Sequence, residues 1–97
     1  MPTYIALSTF TDQGIRNVKD TTKRAAAVKE LAKKFGTNMS QIYWTMGHYD
    51  LVTIIEAEDE QAALTFAMAV GSAGNIRTHT LRAFNAEEMS AVLGKMP

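Results

Sequence analysis

Gly47-His48-Tyr49-Asp50 is the densest run of chemistry-bearing side chains in this sequence. An imidazole titrates near neutral pH, which makes His48 a candidate general base. Asp50 could orient a partner group, and the Tyr49 phenol could donate a hydrogen bond or a proton. The same four residues also suit a structural turn. Gly47 would then supply a backbone angle that other residues resist, and Asp50 would cap the free amides of a hairpin. Trp44, the lone tryptophan, is a candidate wall for an aromatic pocket, or else a core or interface residue. Arg77 and His79 fall on one side of a β-patterned run, where a small anionic ligand could meet them. The competing reading places them on a solvated edge strand or opposite acids of a second copy.

Other constellations fail on spacing. His48 and His79 are the two histidines, they are far apart, and the chain has no cysteine, so no metal site is expected. Gly71 and Gly74 lack the preceding strand of a dinucleotide fingerprint, and no serine sits in a nucleophile elbow. No cofactor is expected. Asp12 and Arg16, four apart, read as an ion pair along one helical turn.

The elements that must carry these residues follow from periodicity. Tyr4 to Phe10 is a β-branched and aromatic run that opens into Thr11-Asp12, a good helix N-cap pair. Helical spacing follows from about Asp12 to Phe35 in two pieces, with Asp20-Thr21-Thr22 as a second cap. Ala25, Val28, Leu31, Ala32 and Phe35 form the apolar stripe of the second piece, and Gly36 is its stop. Gln41 to Met46 and Leu51 to Ile55 alternate as strands, joined tightly through Gly47-His48-Tyr49. A helix from Glu58 to about Val70, a strand from Ile76 to Ala83 and a short helix from about Ala86 to Leu93 complete the chain. The order β-α-β-β-α-β plus a C-terminal helix predicts one α+β domain over residues 1–97. It is the ferredoxin-like arrangement, with a four-stranded antiparallel sheet and both long helices on one face.

Two helices cover one sheet face and leave the other to explain. Val52 and Ile54 alternate with Leu51 and Ile55, and Ile5 and Leu7 lie opposite Tyr4, Ala6 and Phe10, so both faces are apolar. Such a sheet predicts a homodimer or higher homo-oligomer, packed through the open face. Composition agrees with a small domain that shares its core: 97 residues, 46% hydrophobic, with ten basic and ten acidic side chains. The zero net charge argues against nucleic acid as a partner. The lack of a long apolar run argues against a membrane, and a cytoplasmic location is expected.

Met46-Gly47-His48-Tyr49-Asp50-Leu51-Val52 resembles the signature of the GYD domain family, named for such a Gly-x-Tyr-Asp element. Two further blocks, Phe10 to Asn17 and Gly74 to Phe84, extend the resemblance to about residues 3 to 93. It implies the dimeric α/β-barrel group of ferredoxin-like proteins, and it carries no established reaction. The expected function is therefore a small oligomeric α/β-barrel domain that binds a small molecule or serves a structural or regulatory role. The alternative is a cofactor-independent enzyme of the monooxygenase or isomerase kind, built on Gly47 to Asp50 with Trp44 shaping its pocket.

Overall fold

In the computed structural model, which describes residues Met1–Pro97 throughout, the β-branched run becomes β1 (Thr3–Phe10). Thr11 stops it and caps α1 (Asp12–Arg16), its hydroxyl accepting a hydrogen bond from the Gly14 amide at 3.1 Å. A 3-10 turn (Val18–Asp20) leads into α2 (Thr21–Lys34), followed by β2 (Thr37–Trp44) and β3 (Leu51–Ala57). Asp59 then caps α3 (Glu60–Ser72), and β4 (Ile76–Ala83) and α4 (Ala86–Leu93) close the chain. The four strands form an antiparallel sheet in the order β2-β3-β1-β4.

Register sorts the side chains into two faces. Tyr4, Ala6 and Ser8 of β1 and Leu51, Ile55 and Ala57 of β3 are buried, and they alternate with residues that are not. Ala32 from α2 and Ala63 and Phe66 from α3 join Tyr4, Met39, Ile55 and Ala57 in one core. Burying Phe66 alone contributes about 1.5–3 kcal/mol. The opposite face presents Ile5, Leu7, Val52 and Ile54, none of them fully buried. At its margins Leu81 and Tyr43 are 49% and 55% exposed. The shortest dimension of the molecule is 18 Å, room for one sheet and one helix layer and no third.

Three local expectations change. β2 begins at Thr37 rather than Gln41, because Gly36 at φ 66° turns the chain directly from α2 into the sheet. The early part of the strand is hard to see in the sequence because Met39 is its one large apolar residue and a bulge between Met39 and Gln41 breaks the alternation. β2 also ends at Trp44, so Met46 is 97% exposed and the connection to β3 is the longer loop 45–50. Arg16 does not pair with the Asp12 carboxylate. Its Nε donates to the Asp12 backbone carbonyl at 3.2 Å instead.

α4 packs lightly on the rest of the fold and holds its start by chemistry of its own. Asn85 and Glu88 form a reciprocal capping box, the Glu88 amide donating to Asn85 Oδ1 and the Asn85 amide to Glu88 Oε1. The bond from the Asn85 amide holds the Glu88 carboxyl below its ordinary value of 4.5, partial desolvation opposes this, and the nearby Arg82 guanidinium adds to the lowering. A carboxyl with a depressed folded value stabilises above its ordinary pKa, and that contribution is lost as pH falls through the lowered value. A carbon-detected NMR titration is therefore expected to place the Glu88 midpoint below 4.5, with α4 fraying along the same curve. Arg82→Ala should move the midpoint upward.

Candidate functional site

The three sequence blocks singled out above meet at the C-terminal end of β1. From one side comes Asp50, whose amide donates to the Ser8 carbonyl and whose Oδ2 accepts from the Phe10 amide, both at 2.8 Å. The carboxylate thus satisfies a strand amide just past the last β1–β3 pair, Ser8 with Leu51. The loop before it is tied by the Thr45 amide to the Asp50 carbonyl (2.8 Å) and by Thr45 Oγ1 to the Tyr49 carbonyl (2.6 Å). Gly47 turns this loop at φ 104°.

From the other side comes Gly74-Asn75. The Thr11 amide donates to the Asn75 carbonyl at 3.1 Å, and Thr11 Oγ1 donates to the Gly74 carbonyl at 2.5 Å. Gln13 Nε2 reaches both Asn75 Oδ1 and the Ala73 carbonyl. Gly14 packs directly on Asn75, where a Cβ would collide with the Asn75 carbonyl oxygen. Residues scattered over the sequence therefore form one hydrogen-bonded junction.

The candidate side chains are distributed around it. The Tyr49 ring meets His79 edge-on, with centroids 6.1 Å apart and planes at 71°. His79 is paired with Leu7 and Arg77 with Thr9, so both stand on the open sheet face. His48 is exposed on the loop. Trp44 lies apart from this group. Its strand position opposes buried Leu51, and its Nε1 donates to Thr21 Oγ1 at the start of α2 (3.0 Å). No three His, Asp or Glu side chains converge where they could share a metal ion.

Between the sheet and the two long helices lies a cavity of about 150 Å3. None of Gly47, His48, Tyr49, Asp50, Trp44, Arg77 or His79 lines it. Its walls are mainly apolar, from Val28 and Leu31 of α2, Phe66 and Val70 of α3, and Ile42 and Ile55 of the sheet. Among its polar lining residues, which also include Thr21, Thr53, Asn75 and Thr80, motif reasoning passed over Ser8, Thr78 and Arg24. The signal for Ser8 was present in the alternation Tyr4, Ala6, Ser8, which puts a hydroxyl where an apolar side chain is the usual choice.

Element order, strand pairing and the two helices on one sheet face define an α+β domain of the ferredoxin-like kind. The match to the GYD domain model runs over residues 4–93, and the chain belongs to the GYD domain family. It is similar to a Thermus thermophilus protein named "Glutamine synthetase and cystathionine beta-lyase binding protein", with 35% identity over 94 residues. That alignment covers 96% of this chain and 99% of the relative. Among solved structures, TTHA0845 from Thermus thermophilus superposes with a TM-score of 0.56 at 24% identity. The superposition covers 89% of this chain and 96% of that one, and it shows a shared fold.

Proposed function

We propose that this chain is a regulatory binding module that docks on metabolic enzymes, assembles with copies of itself through its open sheet face, and holds a small molecule between sheet and helices. The observation that carries the docking role is the near full-length similarity to a relative named for binding glutamine synthetase and cystathionine beta-lyase. The open sheet face, with Ile5, Leu7, Val52 and Ile54 half-buried and Leu81 exposed, supports self-assembly, since no helix layer of a lone protomer covers it. Tyr49, His79 and Arg77 sit at the end of that face as its polar and aromatic rim, and His48 extends the rim along the loop. This assembly would bring two sheets together in the dimeric-barrel manner.

The placement of the motif favours binding over catalysis. An enzyme built on His48, Tyr49 and Asp50 would direct them at one enclosed space, whereas the Asp50 carboxylate accepts a strand amide and the cavity lies elsewhere. Two measurements test the proposal. Light scattering should give a mass above that of the 10.7 kDa protomer, and Ile54→Lys on the open face should lower it. The immobilised chain should retain purified glutamine synthetase or cystathionine beta-lyase from its own organism. A monomeric mass would overturn self-assembly, and failure to retain either enzyme would overturn the docking role.

A further inference from the structure

The sheet–helix cavity has a chemical character that narrows what it holds. Arg24 is the one charged residue on its wall. Its guanidinium has no carboxylate partner: Nη1 donates to the Asn17 carbonyl at 2.6 Å and Nη2 to the Gly14 carbonyl at 3.2 Å. A guanidinium carries five N–H donors in a fixed fork, so these two bonds aim the group and leave donors free. With only neutral carbonyls as partners, the half-buried guanidinium keeps its charge uncompensated, so a carboxylate that reaches it gains a charge-assisted contact.

A second polar feature lies on the sheet side. Ser8 is 1% exposed, and its Oγ shares a single hydrogen bond with Thr78 Oγ1 at 3.0 Å. Two hydroxyls have two protons and one mutual bond, so one O–H of the pair remains free to donate, on the side where Thr78 is exposed. The rest of the lining is largely aliphatic or aromatic. A cavity of about 150 Å3 is the size that accommodates a benzene ring.

Building on the small-molecule role proposed above, we infer that the cavity is a site for a compact apolar monocarboxylate, its acid group on Arg24 and its ring or branched body against Val28, Leu31 and Phe66. The Ser8–Thr78 pair donates to a ligand oxygen. Dicarboxylates and amino acids are disfavoured, because the lining offers no second cation and no anion to take an ammonium group.

The test is an amide NMR titration of the full chain with benzoate and, in parallel, with benzamide, its neutral isostere. Saturable shifts at Ser8, Val28, Phe66 and Thr78 are expected with benzoate, at a Kd of about 1 mM or tighter. Benzamide should bind about tenfold more weakly, the discrimination a charge-assisted fork provides. Arg24→Gln should erase that preference, and Val28→Phe, which fills the chamber, should abolish both titrations. The wild-type comparison needs no variant to fold. Equal binding of the two probes overturns carboxylate recognition while the cavity remains a small-molecule site. Absence of cavity shifts with either probe overturns the inference together with the small-molecule role, and neither outcome bears on enzyme docking.

Discussion

Gly14→Ala is expected to destabilise the fold by about 3 kcal/mol or more, at the upper end of what overpacking costs. The added methyl would run into the Asn75 carbonyl oxygen, with the carbonyl carbon at 2.9 Å. These are backbone atoms, held by the Thr11 amide that donates to the same carbonyl, so they cannot swing aside as a side-chain tip would. Relief requires α1 to lift away from the start of β4, which breaks the Thr11 and Gln13 bonds to residues 73–75 and carries away the Gly14 carbonyl that aims Arg24. A chain of this length loses about 4–8 °C of Tm per kcal/mol, so thermal unfolding should fall by roughly 15 °C. Gly47→Ala is the informative contrast. Nothing lies within 4 Å of its Cβ position, and only its φ of 104° resists the change, so a loss of about 1–2 kcal/mol is expected. Equal losses at the two glycines, by urea or thermal unfolding, would show that contact with Asn75 is not what fixes Gly14.

The difference between those glycines shows which parts of this molecule could be read from sequence. Local chemistry was legible. Thr11 announced a cap, Gly36 a helix stop, and the stripe from Ala25 to Phe35 a buried helix face, because each acts within one turn of its own position. The ferredoxin-like order followed, and so did the apolar character of both sheet faces. Long-range facts were not legible. Nothing near Gly14 in the chain says that Asn75 will press on it, since most of the fold is laid down between the two positions. The start of β2 was hidden for a different reason: Met39 is the one large apolar residue from Thr37 to Ser40, and the bulge after it shifts the alternation out of phase with Gln41 onward. For the site, the motif drew attention to the loop, where the reactive side-chain types lie. Ser8, Thr78 and Arg24, among the cavity's polar groups, carry no signature spacing and come to one cavity only when β1, β4 and α2 pack together.

Asp50 decides whether the motif that names the family is scaffold or reactive surface. Asp50→Ala would leave the Phe10 amide without its 2.8 Å acceptor where the strand end is half-buried. A loss of about 2 kcal/mol is expected, or roughly 10 °C in Tm. Asp50→Asn keeps an oxygen in the same place and gives up only the charge assistance, so about 1 kcal/mol or less should be lost. The order Ala below Asn below wild type is the mark of an acceptor. The loop itself would then link the structure to the proposed docking role. The Asp50 amide and carboxylate fix the loop to β1, and the loop in turn sets Tyr49 against His79 on the open face. Retention of the target enzyme should therefore follow folding in the Asn variant and weaken in the Ala variant as the rim loses its anchor. A fully stable Asn variant that no longer retains the enzyme would mean that the Asp50 charge itself meets the partner. In that case the element would be a recognition surface first and a turn second.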